Sequence, residues 1–178
     1  ADLNNDKVVD QKDRDIIGTT TPKYYGGFST DITWRGLILN AIFNYSVGAQ
    51  KISPYYESLI NSTGISSAST DLLDRWTPQN TTARFPRVID NVTLFNRVSP
   101  SDVDFSLQNA SYLRLSTLSL AYQFPTSIFS RFKVNILKVY FTSSNIFCIT
   151  PYKGFDPELG DNKYPPTKMF TFGLNFSF

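Results

Sequence analysis

The sequence predicts an all-β fold in which antiparallel strands form part of a transmembrane β-barrel, and three observations predict it. The last ten residues, Met169 to Phe178, alternate large apolar side chains with small or polar ones and carry no charge. Aromatic residues make up 15% of the chain and charged residues only 18%, against roughly 25% in ordinary soluble domains. The connections between strand-like runs are short, long, short and long in turn, the pattern of outer-membrane barrels with short periplasmic turns and long outer loops.

Taken in order, residues 1–23 are acidic and turn-rich and read as an extracellular loop. Residues 24–48 form a transmembrane hairpin. Tyr24, Gly26, Phe28, Thr30, Ile32 and Trp34 share one side, and after Arg35-Gly36 the run Leu37, Leu39, Ala41, Phe43, Tyr45 and Val47 repeats the pattern. A two-residue turn at Arg35-Gly36 pairs Trp34 with Leu37, Ile32 with Leu39, Thr30 with Ala41 and Phe28 with Phe43, which puts the apolar sets on one face. Residues 49–110 lose sustained periodicity and fill with Ser, Thr, Asn, Asp and Pro. They read as a long extracellular loop region, far beyond the usual connection of about 4–6 residues.

Residues 111–147 hold two transmembrane strands, Tyr112 to Phe124 and Val134 to about Phe147, joined by a short periplasmic turn from Pro125 to Lys133. Leu118, Leu120, Tyr122 and Phe124 oppose Thr117, Ser119, Ala121 and Gln123, but the pattern is untidy around Arg114. The second strand has a blurred face, with Val139 and Phe141 against Lys138, Tyr140 and Thr142. Residues 148–168 form another extracellular loop, rich in Pro, Gly and Tyr, and residues 169–178 the C-terminal transmembrane strand. There Phe170, Phe172, Leu174, Phe176 and Phe178 make one apolar ridge, in a strand long enough for the roughly 9–11 residues that a crossing takes. Trp34, Tyr122, Phe124 and Phe178 then fall at the periplasmic end as an aromatic girdle. Five strands cannot close a barrel, since the smallest have about eight. The missing strands are expected outside these residues, and the chain, opening at Ala1 without a visible signal peptide, reads as a fragment.

Composition narrows function. A net charge of +2 with scattered Lys and Arg gives no nucleic-acid footprint. Histidine is absent, which removes His-based triads and the commonest metal ligand, and the single Cys148 has no internal disulfide partner. No nucleophile elbow or glycine-rich phosphate loop occurs. Asp71 and Asp74 could be imagined as a glycosidase pair, but acidity in a polar loop accounts for both. No enzyme is expected.

Several ordered pieces carry a resemblance: Asp6 to Gly18, Pro22-Lys23 with Gly26-Gly27-Phe28, Asp74-Arg75-Trp76-Thr77-Pro78, and Ala110-Ser111-Tyr112-Leu113-Arg114-Leu115. Val139-Tyr140 with Ser144-Asn145-Ile146-Phe147, the run Tyr152 to Glu158 and the closing ridge complete the set. Together they resemble the C-terminal end of SusC-like TonB-dependent transporters of the Bacteroidetes outer membrane. The resemblance implies the last five strands of a barrel like the roughly 22-stranded transporters. It also implies import of glycan or peptide fragments across the outer membrane of a Gram-negative bacterium. The implied partners are a SusD-like surface lipoprotein, the TonB complex through an N-terminal part outside this chain, membrane lipid, and the barrel-assembly machinery. That machinery would read the ridge Phe170, Phe172, Leu174, Phe176 and Phe178 as an assembly signal. A secreted β-sandwich module for carbohydrate binding or adhesion is the competing expectation.

Two groups of side chains stand out as candidate sites. Asp2, Asn4, Asp6, Val8, Asp10 and Asp13 occupy positions 1, 3, 5, 7, 9 and 12 of an EF-hand-like loop, which nominates calcium as the one candidate cofactor. Lys7 stands where glycine normally makes the sharp turn, and a solvated acidic turn is the other reading. Trp76, Tyr152, Phe155 and Tyr164 are aromatic residues in outer loops, able to stack on sugars or anchor a partner, or simply to pack the loops.

Overall fold

The computed structural model describes residues 3–7, 11–61, 67–87, 104–128, 134–161 and 163–177. In chain order the elements are β1 (Tyr24–Trp34), β2 (Leu37–Val47), β3 (Gln50–Ile52), α1 (Pro54–Ile60), β4 (Leu107–Asn109), β5 (Tyr112–Gln123), β6 (Ile136–Ile149) and β7 (Met169–Ser177). Two compact units result. One, a sheet, is made of Pro22–Val47, Ser111–Thr150 and Pro166–Phe178; the other, a loop unit, of Ala1–Thr21, Gly48–Ala110 and Pro151–Pro165.

The sheet has five strands in the order β1-β2-β5-β6-β7, every pair antiparallel. Its register lines residues up in rows. Trp34, Leu37, Tyr122, Val139 and Leu174 form one row, and Ile32, Leu39, Leu120, Phe141 and Phe172 the next. Strand side chains alternate between faces, so these rows, separated by two residues, lie on the same face. Between them runs the row Thr33, Ile38, Ala121, Tyr140 and Gly173, and beyond it Asp31, Asn40, Ser119, Thr142 and Thr171, both on the opposite face. The hairpin pairing expected from the Arg35-Gly36 turn is present in full. Arg35 and Gly36 have φ of 45° and 88°, the two left-handed positions of a tight hairpin turn whose twist suits the strands it joins.

The disorderly stretches of β5 and β6 have one cause. Phe43 faces Leu115 while Ile42 faces Thr117, so Ser116 is an extra residue in β5. On the other side Leu115 faces Phe147 and Thr117 faces Ser144, and Asn145 in β6 takes φ of 53°. This bulge shifts β5 by one residue, so odd-numbered Leu113 and Leu115 join even-numbered Leu118, Leu120 and Tyr122 on the apolar side. The strand therefore keeps one face where its sequence seems to lose it. β6 begins at Ile136 and runs to Ile149, beyond the end near Phe147 that the sequence suggests. Phe178 lies outside the described residues.

Segment 49–110, aperiodic in sequence, is not featureless. Short β3 and β4 pair from Gln50↔Asn109 to Ile52↔Leu107, and Ala110 N donates to Ala49 O at 2.8 Å. α1 starts where Ser53 caps it, the hydroxyl accepting from Tyr56 N at 3.0 Å, with Pro54 in the first turn where a missing N–H costs nothing. Tyr56 and Ile60 of this helix bury against Leu72 and Phe85, and a second small cluster joins Ala49, Ala110 and Tyr152.

At Gly173 a Cβ would run into the Tyr140 ring, its cross-strand partner. Gly173→Val should displace that ring and destabilise the assembled sheet by about 1–3 kcal/mol, the usual cost of overpacking. Adding Tyr140→Ala should recover part of the loss, and a double-mutant cycle on denaturation midpoints measures the coupling; additive losses would contradict the contact.

Candidate functional site

The sheet presents one candidate surface and the loop unit two. The first is the apolar face of the sheet. Phe172 is 78% exposed, Leu174 67% and Trp34 62%, values that belong to rim residues rather than to a core. Cross-strand pairs knit this face: Phe28 stacks on Phe43 with centroids 4.8 Å apart, and Phe141 meets Phe172 at 4.9 Å. The opposite face is polar, with Asn40 Nδ2 donating to Asp31 at 2.6 Å, Asn44 Nδ2 to Ser116 at 2.9 Å, and Ser119 and Thr142 hydroxyls 3.3 Å apart. No described helix is long and apolar enough to cross a membrane, which says nothing about strands.

The second surface belongs to the loop unit and is organised by carboxylates. Asp71 accepts from the Tyr56 hydroxyl and from the Lys153 ammonium, which also lies 5.3 Å from the Tyr56 ring centroid. Lys153 and then Tyr56 hold the Asp71 carboxyl below its ordinary range by hydrogen bonding to its charged form. Burial first, then Asp71, pushes the Tyr56 hydroxyl well up, so it stays a donor. A second carboxylate, Asp161, accepts from the Ser53 hydroxyl, from Tyr55 N at 3.0 Å, from Phe155 N at 2.9 Å and from Tyr152 Oη at 3.4 Å. It joins the start of α1 to residues 152–155, and Tyr55 stacks on Phe155 at 4.5 Å beside it. Lys51 Nζ donates to the carbonyls of Pro157 and Glu158, each at 2.7 Å.

A third feature is concave. Arg75, Trp76, Thr77, Pro78 and Arg87 line a depression of about 320 Å³. Its floor is fixed by backbone: Trp76 N donates to Phe85 O at 2.8 Å, and Thr77 and Asn80 exchange bonds at 3.2 and 3.0 Å. Asp74, next in the chain, is engaged by Asn80 Nδ2 at 3.0 Å and Arg84 N at 3.4 Å.

No family model matches the chain. The TonB-dependent receptor P3 of Formosa agariphila is 29% identical over 195 residues, covering all of this chain and 18% of the receptor. The TonB-dependent receptor SusC of Bacteroides thetaiotaomicron is 26% identical over 198 residues, again across the whole chain and 17% of SusC. A solved structure of the RagAB peptide transporter superposes with a TM-score of 0.72 at 34% identity, covering 90% of this chain and 18% of that one. The chain is homologous to SusC-like TonB-dependent receptors along its whole length. It spans less than a fifth of the length of the relatives it matches.

Within this SusC-like segment the anticipated site residues separate. Phe170, Phe172, Leu174 and Phe176 form the ridge on β7. Phe155 and Tyr164 are exposed, the latter 82%, and Trp76 lines the depression. Tyr152, only 6% exposed, clusters with Ala49 and Ala110, the packing role that is one of its two readings. Of the six-residue calcium loop, Asp2, Val8 and Asp10 lie outside the described residues. Asp13 Oδ1 accepts from Leu3 N at 2.7 Å and Asn4 N at 3.3 Å, and Lys7 has φ of 67°. Among the described residues no three acidic, Cys or His side chains are placed to hold a metal ion. Asp71 is engaged by Lys153 and Tyr56, and Asp74 by Asn80 and the Arg84 amide of its own loop. Asp161, Lys153 and Arg87 carry no sequence signal that marks their roles.

Asp71→Asn should leave the loop unit folded but looser, because the lost ion pair is part-exposed and such pairs contribute about 0.2–1 kcal/mol. Amide exchange across α1 and residues 152–155 of the full receptor should quicken by up to about fivefold. Because the folded carboxyl lies below its ordinary 3.8, the wild-type contribution is complete at neutral pH and fades as pH falls through that lowered value. Exchange in the variant should lack this acid dependence; an identical pH profile in both proteins refutes the assignment.

Proposed function

We propose that this chain forms wall strands and outer-loop surface of a TonB-dependent outer-membrane transporter importing glycan or peptide fragments. The observation that carries the reading is the register of the sheet, which gathers exposed apolar residues from all five strands onto one face and polar residues onto the other. A face of that kind suits hydrocarbon tails on one side and a wet lumen on the other. The names of the relatives support the transport reading. A secreted β-sandwich would need a second sheet to cover the apolar face, and the only other described sheet is the three-residue pair β3–β4.

In this reading the sheet sits in the outer membrane, the short turn at Arg35-Gly36 faces the periplasm, and the loop unit faces outward where a SusD-like lipoprotein docks. TonB acts through residues outside this chain, and the β7 ridge with Phe178 is the part the barrel-assembly machinery recognises. The role is structural and ligand-facing, without catalysis: the loop carboxylates that could serve as acid and base are tied to cations and amides. The acidic loop of residues 2–13 acts as an outer calcium turn, supported by the left-handed backbone at Lys7 in the glycine position. Calcium should slow, and a chelator hasten, tryptic cleavage at Lys7 and Lys12 in the intact receptor; equal rates in both dismiss the calcium turn.

Leu120 and Ser119 are neighbours on opposite faces. Leu120→Arg, and likewise deletion of Phe178, should cut the amount of heat-modifiable barrel in the outer membrane, the arginine at a cost below the roughly 2–4 kcal/mol of the bilayer centre because Leu120 lies one row from the girdle residue Tyr122. Ser119→Arg, directed to the wet side, should assemble at near-normal levels. Equal tolerance of the two arginines would speak against lipid on the apolar face.

A further inference from the structure

The depression lined by Arg75, Trp76, Thr77, Pro78 and Arg87 is held by backbone bonds of Trp76 and Thr77. Trp76 is 37% exposed, although the adjoining residues are fixed by backbone pairing to Phe85, itself 3% exposed in the core with Tyr56, Ile60 and Leu72. An indole on a rigid edge offers a flat apolar face with little ordering cost. Arg75 and Arg87 line the same depression, and among the described residues neither makes an ion pair. The one described polar contact of the Arg75 guanidinium is a long 3.5 Å approach to the Leu72 carbonyl. The nearest acid in sequence, Asp74, is occupied by Asn80 and the Arg84 amide. Two arginines and a tryptophan therefore share the lining of a concavity of about 320 Å³, at the small end of ligand-site sizes.

We infer that this depression is a recognition subsite for an anionic sugar residue, the indole stacking on the pyranose ring while Arg75 and Arg87 clamp its carboxylate or sulfate. Guanidinium groups pair bidentately with planar carboxylates and with sulfate-like oxygens, and an apolar ring face beside them selects a sugar over a bare anion. A peptide carboxylate would satisfy the arginines but leave the indole without a ring. The inference rests on the transporter reading above, in which the loop unit faces outward, and it names a substrate class for that surface.

The test uses the full-length receptor in detergent, with the heat-modifiable band first showing that the barrel is assembled. Titration calorimetry then compares tetragalacturonate, its methyl ester, a sulfated carrageenan tetrasaccharide and an acidic tetrapeptide. Binding of tetragalacturonate or the carrageenan fragment, weakened at least tenfold by Arg75→Gln with Arg87→Gln and severalfold by Trp76→Phe, supports the subsite; which of the two binds separates carboxylate from sulfate. An ester that binds as well as the acid, or affinity indifferent to the arginine pair, overturns it. Tighter binding of the peptide than of both sugars, or no sugar binding by an assembled barrel, also overturns it while leaving the transporter reading standing. An unassembled barrel would count against that earlier reading instead.

Discussion

Strict phase between strands is the constraint on which the sheet depends. Because side chains alternate with period two, a slip of one residue in any pair would turn a whole strand's apolar set to the wrong side. Trp34, Leu37, Tyr122, Val139 and Leu174 share a row only because all four pairings hold together. The turn sets the first pairing: two successive left-handed residues at Arg35-Gly36 leave no freedom in how β1 and β2 meet. Later pairings are set by the rows themselves, with Phe28 on Phe43 and Phe141 on Phe172 as aromatic pins. The bulge at Ser116 is then a phase correction, without which Leu113 and Leu115 would face the wet side with Thr117 and Ser119.

The loop unit solves a different problem. Among the described residues its two apolar clusters are small, four residues and three, too few to fix long polar segments by burial alone. Carboxylates take over that task. Asp161 gathers two backbone amides and two hydroxyls from α1 and residues 152–155, and Asp71 joins the same helix to Lys153. Each bond contributes about 0.5–1.5 kcal/mol, more where a charge takes part. Their value is positional, because one rigid carboxylate brings together segments separated by a hundred residues of chain, where flexible loops of that length would wander.

What the sequence discloses follows from this contrast. The hairpin of β1 and β2 and the β7 ridge could be read because their alternation is unbroken and the turn is two residues long. β5 and β6 were blurred because a bulge changes parity partway, and a period-two reading has no term for one inserted residue. In the loop unit the apolar anchors Tyr56, Ile60, Leu72 and Phe85 are spaced without a single period, since they come from a short helix, a 3-10 turn and a bridge. For Tyr152 the sequence leaves ligand contact and loop packing both open, because nothing local tells a ring against two alanines from a ring in water. Asp161 is one more acid in a polar stretch until its partners are known.

The same division explains where unspent chemistry lies. Acidic groups in the loop unit are consumed by the architecture: Asp71 by Lys153 and Tyr56, Asp161 by Ser53 and the amides of Tyr55 and Phe155, Asp156 by the amides of Glu158 and Leu159, and Asp74 by Asn80. A carboxylate is well suited to such work because it accepts several bonds at once from amides that loops leave over. Cations there meet loop carbonyls instead: Lys51 donates to those of Pro157 and Glu158, and Arg75 makes one long approach to that of Leu72. Bracing the loops in this way engages those carboxylates with donors inside the unit, while Arg75 and Arg87 line the depression together with Trp76, whose backbone is held by Phe85. The two arginines in that lining are what would give the depression a preference for an anion.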